Sequence, residues 1–249
     1  MSSLDYTYEN LEKVVPRHFF GQRNMLIDGA LDPRKTMVLA LDIQKLIVSP
    51  NGAGHVPSVG GAPAGTDTVQ PCIDVVEASR KAGIPVVWSL WGLRGDGRDT
   101  GNAGPKWPPF QCGTPQSPGS WGNKDAELDD RVKPRADEIV FQKHRFSSFY
   151  NTALDEWMRE DGRDTLVICG VTSANCMLAT SLDGWNKNYK IVALADTTTA
   201  VPNMLENVPL GYGQHWEALR NIQMNYGDVR TSHEYYEMIG QKPSAMAAR

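Results

Sequence analysis

The feature that most constrains this chain is a repeated pair: a short apolar run without polar alternation, then a stretch of helical spacing. Met37-Val-Leu-Ala-Leu41 is the first such run. Ile84-Pro-Val-Val-Trp-Ser-Leu90, Glu138-Ile-Val-Phe-Gln142, Thr165-Leu-Val-Ile-Cys169 and Lys190-Ile-Val-Ala-Leu194 follow, with a short last one at Asp228-Val-Arg-Thr231. Runs of this kind suit strands covered on both faces. Between them, Val69 to Lys81, Asn151 to Glu160, Ala174 to Trp185 and Gln214 to Asn225 place apolar residues at helical intervals. Gly83 and Asp161-Gly162 are stop signals after two of these. Alternating strands and helices predict an α/β domain with a parallel sheet between helical layers. In such sheets ligands bind beyond the carboxyl ends of the strands. Chemistry is therefore sought just after each run.

Two segments depart from the alternation. Residues 1–35 are mixed, end in the turn signal Asp32-Pro33, and read as an N-terminal arm to a single domain over 36–249. The stretch 91–122 holds eight glycines and five prolines, interleaved with Trp91, Trp107, Phe110 and Trp121. A loop this long is uncommon in a compact domain unless it serves a function. Its aromatics point to a packed, lid-like insertion.

Composition removes whole classes of function. The longest apolar runs are about five residues, against about twenty for a membrane-spanning helix, so no membrane role is expected. A formal charge of -4 argues against a nucleic-acid surface. Four cysteines in 249 residues are too few for a disulfide scaffold, and the N-terminus lacks the pattern of a signal peptide. A cytoplasmic protein with reduced thiols is the expectation. No glycine-rich nucleotide loop, no nucleophile-elbow motif and no metal-binding histidine spacing occurs, so neither cofactor nor metal is expected.

Three polar residues stand at strand ends. Asp42 closes the first run; a carboxylate there needs a partner, and a helix cap or ion pair explains it as well as chemistry does. Lys143 closes the third run, where a surface cation is the plainer reading. Cys176 follows the fourth run in Cys169-Gly-Val-Thr-Ser-Ala-Asn-Cys176. In the first turn of a helix it meets the positive end of the helix dipole, which favours thiolate. Free N–H groups at that helix start suit an oxyanion. Cys72 and Cys169 read as small buried hydrophobes.

Together these segments carry a resemblance. Leu-Ala-Leu-Asp42-Ile-Gln, then Lys143-His-Arg-Phe-Ser-Ser-Phe-Tyr-Asn-Thr, then Cys169-Gly-Val-Thr-Ser-Ala-Asn-Cys176 and Leu194-Ala-Asp196-Thr resemble the isochorismatase-like cysteine hydrolases. The resemblance implies a Rossmann-like three-layer sandwich with a six-stranded parallel sheet of order 3-2-1-4-5-6. It implies a triad of Asp42, Lys143 and Cys176, with Cys176 attacking a carbonyl carbon and Asp42 carrying the proton. An oxyanion would rest on the N–H groups of Thr172 and Cys176, beside a cis peptide joining Val171 to Thr172. The chain contains no Asp-x-His, so it departs from the metal-dependent nicotinamide-hydrolysing branch. With Gly119-Ser-Trp-Gly122 upstream, the lysine segment is most similar to the ureidoacrylate and N-carbamoyl amidohydrolase branch. The function implied is hydrolysis of a C–N bond in a small linear amide, ureide or N-carbamoyl compound through a thioester, with ammonia released. A vinyl-ether hydrolase that leaves Cys176 idle, and a silent family member, stay open as alternatives. The partner expected is a small molecule, in a homo-oligomer (dimer or tetramer).

Pocket walls are expected from Trp88, Trp91, Arg94, Phe146 and Tyr150, which follow the second and third runs. Arg94 is the first choice for a substrate carboxylate, because a guanidinium fork matches that shape. Arg17 or Arg23 could do the same from a neighbouring subunit. Tyr212, His215 and Trp216 fall where the family commonly makes oligomer contacts, though Trp216 suits packing better.

Overall fold

The computed structural model describes residues 11–15, 26–53, 68–106, 113–200 and 212–241, with the side chains of 13, 14 and 212 excepted. Arg17, Arg23, Trp107, Phe110, Cys112 and the side chain of Tyr212 lie outside what is described.

Six strands form one parallel sheet: β1 (Thr36–Leu41), β2 (Val86–Trp91), β3 (Ile139–Lys143), β4 (Thr165–Gly170), β5 (Lys190–Leu194) and β6 (Asp228–Arg230). Their order across the sheet is β3-β2-β1-β4-β5-β6. The order reverses at β1, so the carboxyl ends of β1 and its neighbours form the switch point at which such folds bind ligands. All six residues of β1 and all six of β4 are buried. Side-chain alternation then divides them between two cores. Met37, Leu39 and Leu41 join Leu166, Ile168, Ile191 and Ala193 on one face; Val38 and Ala40 join Val167, Cys169, Val192 and Leu194 on the other.

Helices close both faces. The first core takes Leu154 and Met158 of α5 (Leu154–Glu160) and Trp216, Leu219 and Ile222 of α7 (Tyr212–Asn225). The second takes Val69, Cys72, Val75 and Val76 of α3 (Val69–Lys81) and Tyr235, Tyr236 and Met238 of α8 (Ser232–Met238). α3 and β5 lie where the sequence places them. α8 is an addition, and its start is a capping box: Thr231 accepts from the N–H of Glu234, whose carboxylate accepts from the N–H of Thr231. The segment read as an arm is joined to the domain at Asp228, which accepts from the N–H of Ile27 at 3.1 Å, and at Arg230, which donates to the carbonyl of Ile27. Three short helices, α1 (Leu11–Val14), α2 (Lys45–Val48) and α4 (Ala103–Lys106), lie between the longer elements; α1 opens the described chain, and Leu11 and Val15 enter the first core.

The start of the helix after β4 also differs from expectation. A single helix was expected from Ala174. The chain instead makes a wide π-helical turn over Ser173–Met177, in which the N–H of Met177 bonds to the carbonyl of Thr172, before α6 (Leu178–Asn186) begins. Such bulges recur at functional sites.

Candidate active site

Three strand ends converge on one point. Asp42 follows β1 with φ at 52°, a left-handed conformation that Asp tolerates better than most residues. That turn directs the carboxylate along the sheet edge. Ser89 of β2 donates to its Oδ1 at 2.7 Å. Lys143, the last residue of β3, lies two strands away, roughly 10 Å at ordinary strand spacing. Its long stem crosses the end of β2, and Nζ comes to 2.7 Å from Asp42 Oδ2. Both side chains are wholly buried. Nζ also donates to the sulfur of Cys176 at 3.2 Å and to the carbonyls of Phe146 at 3.0 Å and Arg145 at 3.2 Å.

Cys176 reaches this cluster because β4 ends beside β1. A Cβ at Gly170 would fall 2.2 Å from the carbonyl of Leu41, so only glycine permits the approach. The peptide between Val171 and Thr172 is cis. The wide turn then carries the thiol back over the sheet. Among the described residues the N–H of Thr172 has no hydrogen-bond partner, and Cys176 lies within the first helical turn, where N–H groups commonly lack intrahelical acceptors. Behind the turn, Ser173 donates to the carbonyl of Thr199 and lies 3.1 Å from His215 Nδ1. Burial pushes His215 down to about 3, so its ring is neutral.

Electrostatics at the centre differ from one expectation. The helix start was expected to favour thiolate. Burial instead pushes the thiol of Cys176 far above its ordinary range, and the Lys143 ammonium opposes this without overcoming it. Burial lowers Lys143, but the Asp42 carboxylate and the Cys176 sulfur outweigh it and raise the ammonium overall. The resting arrangement is therefore an ion pair beside a neutral thiol, with Asp42 in reach as a proton acceptor.

A cavity of about 600 Å³ opens beside the Lys143 end of this cluster. Trp91 and Phe146 form apolar wall, and Asn102, Lys106, His144 and Arg145 supply polar groups. Three expected wall residues are elsewhere. Trp88 points to the opposite face of the sheet, packs with Val86 in the second core, and donates its Nε1 proton to Glu138 at 2.7 Å. Arg94 is tied to Asp96 at 2.6 Å and does not line the cavity. Tyr150 is half exposed on the surface, its ring edge against His144. His215 and Trp216 are buried inside the chain and cannot meet a partner subunit.

Two residues at the site escaped the sequence reading. Ser89 is the one hydroxyl in an otherwise apolar strand. Gln44 donates to the carbonyls of Trp91 and Ala126 and accepts from the N–H of Trp91, closing the base of the insertion. Above it, Leu93 exchanges backbone bonds with Gly119 and Trp121. The Trp121 ring fills the space that a Cβ on Gly92 would need. Among the described residues no three His, Cys, Asp or Glu side chains group as metal ligands, and no helix is long and apolar enough to cross a membrane.

Comparison with known proteins follows from this geometry. The family model described as the isochorismatase domain matches residues 36–234. The ureidoacrylate amidohydrolase RutB of Methylobacterium radiotolerans is 33% identical over 232 residues, covering 88% of this chain and 84% of that protein. The RutB of Azorhizobium caulinodans is 28% identical over 224 residues, covering 84% and 92%. A cysteine hydrolase from Pseudomonas syringae pv. phaseolicola superposes with a TM-score of 0.76 at 28% identity, over 87% of this chain and 98% of that one.

Proposed function

This chain belongs to the isochorismatase family and is a hydrolase acting on C–N bonds, and from that premise we propose that it cleaves a small linear ureide or amide through Cys176. The observation that carries the reading is the shared cation: Lys143 Nζ touches both Asp42 and Cys176.

The chemistry runs from the resting ion pair. As Cys176 Sγ attacks the substrate carbonyl carbon, its proton moves to Asp42, and the Lys143 ammonium balances the negative charge that shifts from carboxylate to sulfur. Coupling proton loss to attack is what a buried thiol of raised pKa requires. The carbonyl oxygen, now anionic, accepts from the N–H groups of Thr172 and Cys176. The tetrahedral carbon collapses, the C–N bond breaks, and the departing nitrogen takes the proton from Asp42. A water then attacks the thioester, Asp42 accepts its proton, and the proton returns to sulfur as the product leaves. With a ureide the released carbamic acid decomposes to ammonia and carbon dioxide, so ammonia reports turnover.

The test is Cys176→Ala on a panel of ureides and amides scored by ammonia release. No release is expected; turnover that survives the substitution overturns the mechanism. The protein is proposed to work as a cytoplasmic homo-oligomer. Leu182 and Trp185, exposed on α6, offer apolar surface for a second copy.

A further inference from the structure

We propose that His215 is a positioning residue for the oxyanion site, acting through Ser173 on the turn that carries the N–H groups of Thr172 and Cys176. This rests on the thioester reading above and goes beyond its triad. The proton transfers among Asp42, Lys143 and Cys176 make no use of His215, and the sequence placed it at a subunit contact. It is instead wholly buried on α7, in edge contact with the ring of Trp216, the centroids 4.6 Å apart. A buried imidazole requires hydrogen-bond partners. Its partner at Nδ1 is Ser173 Oγ, 3.1 Å away.

The bonds at Ser173 fix the tautomer of that ring. Ser173 Oγ has one proton to give and two neighbours at 3.1 Å, the carbonyl of Thr199 and Nδ1 of His215. Directed at Nδ1, the proton would leave Oγ and the carbonyl facing each other as two acceptors with no hydrogen between them. With the proton on the Thr199 carbonyl and Nδ1 as a donor, both contacts hold a hydrogen. The chain then runs one way, from Nδ1–H to Oγ and from Oγ–H to the carbonyl. That carbonyl also accepts from the N–H of Ser173 at 2.7 Å. Burial keeps the ring neutral, so Nε2 carries no proton.

The chain ends on the oxyanion turn itself. Ser173 directly follows Thr172 and opens the π-helical turn Ser173–Met177. Its N–H and Oγ are both tied to Thr199, which follows β5, and His215 holds Oγ from α7. On the other side of the same peptide unit, the carbonyl of Thr172 accepts from the N–H of Met177 at 3.1 Å. The peptide plane is thus held at its N–H and at its carbonyl. The N–H groups of Thr172 and Cys176 hang from the backbone on either side of that plane. An oxyanion site is worth most when its donors are fixed before charge develops, and a supporting set of side chains does the fixing. A single wide turn has no repeating ladder to stiffen it, so Ser173 and His215 supply that rigidity. No proton passes through the ring; its part is to hold.

The test is a double-mutant cycle with His215→Leu and Ser173→Ala. Ammonia release is measured on the compound of the panel above that turns over fastest, at a temperature where circular dichroism shows each variant folded. His215→Leu should lower kcat by about 10- to 100-fold, the scale of a misplaced reacting geometry, with KM little changed. Ser173→Ala should cost a similar factor. The double variant should lose no more than the larger single one, because both break one chain. His215→Asn, whose amide NH2 can stand at the Nδ1 position, should recover most of the loss; His215→Gln, which reaches toward the Nε2 position, should not. If His215→Leu fails to fold, the Asn and Gln variants with Ser173→Ala carry the same comparison. Alkylation of Cys176 by iodoacetamide forms no oxyanion and should keep its rate in every folded variant. Additive losses, native kcat in His215→Leu or Ser173→Ala, no recovery by Asn over Leu or Gln, or a parallel fall in alkylation overturns the proposal. The tautomer is read without turnover, from the imidazole nitrogen NMR shifts of the Cys176→Ala protein, with the His215 signal assigned by its loss in His215→Asn. A proton on Nε2 in place of Nδ1 overturns the proposal as well. Ammonia release that survives Cys176→Ala would defeat the thioester mechanism while leaving the tautomer and the coupling to stand or fall by themselves.

Discussion

Two buried ion pairs lie near β2 and β3, and they are finished differently. Arg80 and Glu138 meet at 2.7 Å with both side chains almost wholly covered. The Glu138 carboxylate accepts from Arg80 Nε and Nη2, from Trp88 Nε1 and from the N–H of Arg135. Both oxygens are held by donors, three of them on Oε2, and none of those donors is a thiol. Asp42 and Lys143 also meet at 2.7 Å, but their cation is shared with a thiol and their carboxylate faces that thiol too. One pair consists of charges that hold elements together. The other is left with a transferable proton beside it. Burial alone does not distinguish them; the third group in contact does.

The comparison can be broken most directly at Asp42. Asp42→Asn keeps the shape and removes the proton acceptor, so kcat should fall by about 10²- to 10⁴-fold, the usual worth of a general base. An ammonia-release assay at saturating substrate measures it, at a temperature where the variant is folded, because the change also leaves the buried Lys143 without its anion. Glu138→Ala should act on stability alone. It removes the buried partner of Arg80 and leaves only the half-exposed Glu77 at Nη1, at a cost of up to about 3–5 kcal/mol by denaturant titration. kcat/KM at a temperature where the protein is folded should be unchanged.

Proton titration sharpens the contrast. Burial works against the charged form of Glu138, but Arg80, the N–H of Arg135 and Trp88 outweigh it and hold the carboxyl below its ordinary value. Stability from this pair is therefore complete above the ordinary Glu value, about 4.3. It is lost as pH falls through the lower folded value. Chemical denaturation between pH 5 and 2 should show a shallower acid limb in Glu138→Gln than in the native chain. Cys176 shifts the other way. With its thiol raised, alkylation by iodoacetamide should keep accelerating past pH 9 with no plateau near neutrality, read by mass spectrometry of the Cys176 peptide. The smallest effect expected is Trp88→Phe, which deletes one of four donors to Glu138. It should cost about 1 kcal/mol, the net worth of a hydrogen bond, and leave kcat/KM alone.

Strand ends were legible because buried parallel strands read as uninterrupted apolar runs, and because Asp42, Lys143 and Cys176 each stand close after one; the order across the sheet came from the family resemblance alone. What was lost was mainly direction. Trp88 lies near the end of β2, but Val86 and Trp88 share a face and Val87 takes the other, so pleating turns Trp88 away from the cavity. Arg94 has Asp96 two residues on, a local partner visible in the sequence that claims its guanidinium. Arg145 stood inside the recognised lysine segment, yet its place on the cavity wall is set by the carbonyl of Asp99, 46 positions earlier, which no periodicity relates to it. The thiol's ionisation was misread because a helix start and a cation are local features, whereas burial is a property of the assembled fold. α8 was the avoidable omission, since Thr231 and Glu234 have the spacing of a capping box.

The clasp at the base of the glycine- and proline-rich insertion has an evolutionary consequence. Gln44 and the Leu93–Ser120 bridge join the two ends of that excursion to each other and to the sheet, so whatever lies between them begins and ends at fixed points. Insertion length and sequence can drift without moving Asp42, Lys143 or Cys176. That geometry is what an exchangeable cassette requires: a different stretch grafted between Leu93 and Ser120 would present a new pocket wall to an unchanged nucleophile. One scaffold could in this way diversify its substrates while its reaction stays the same.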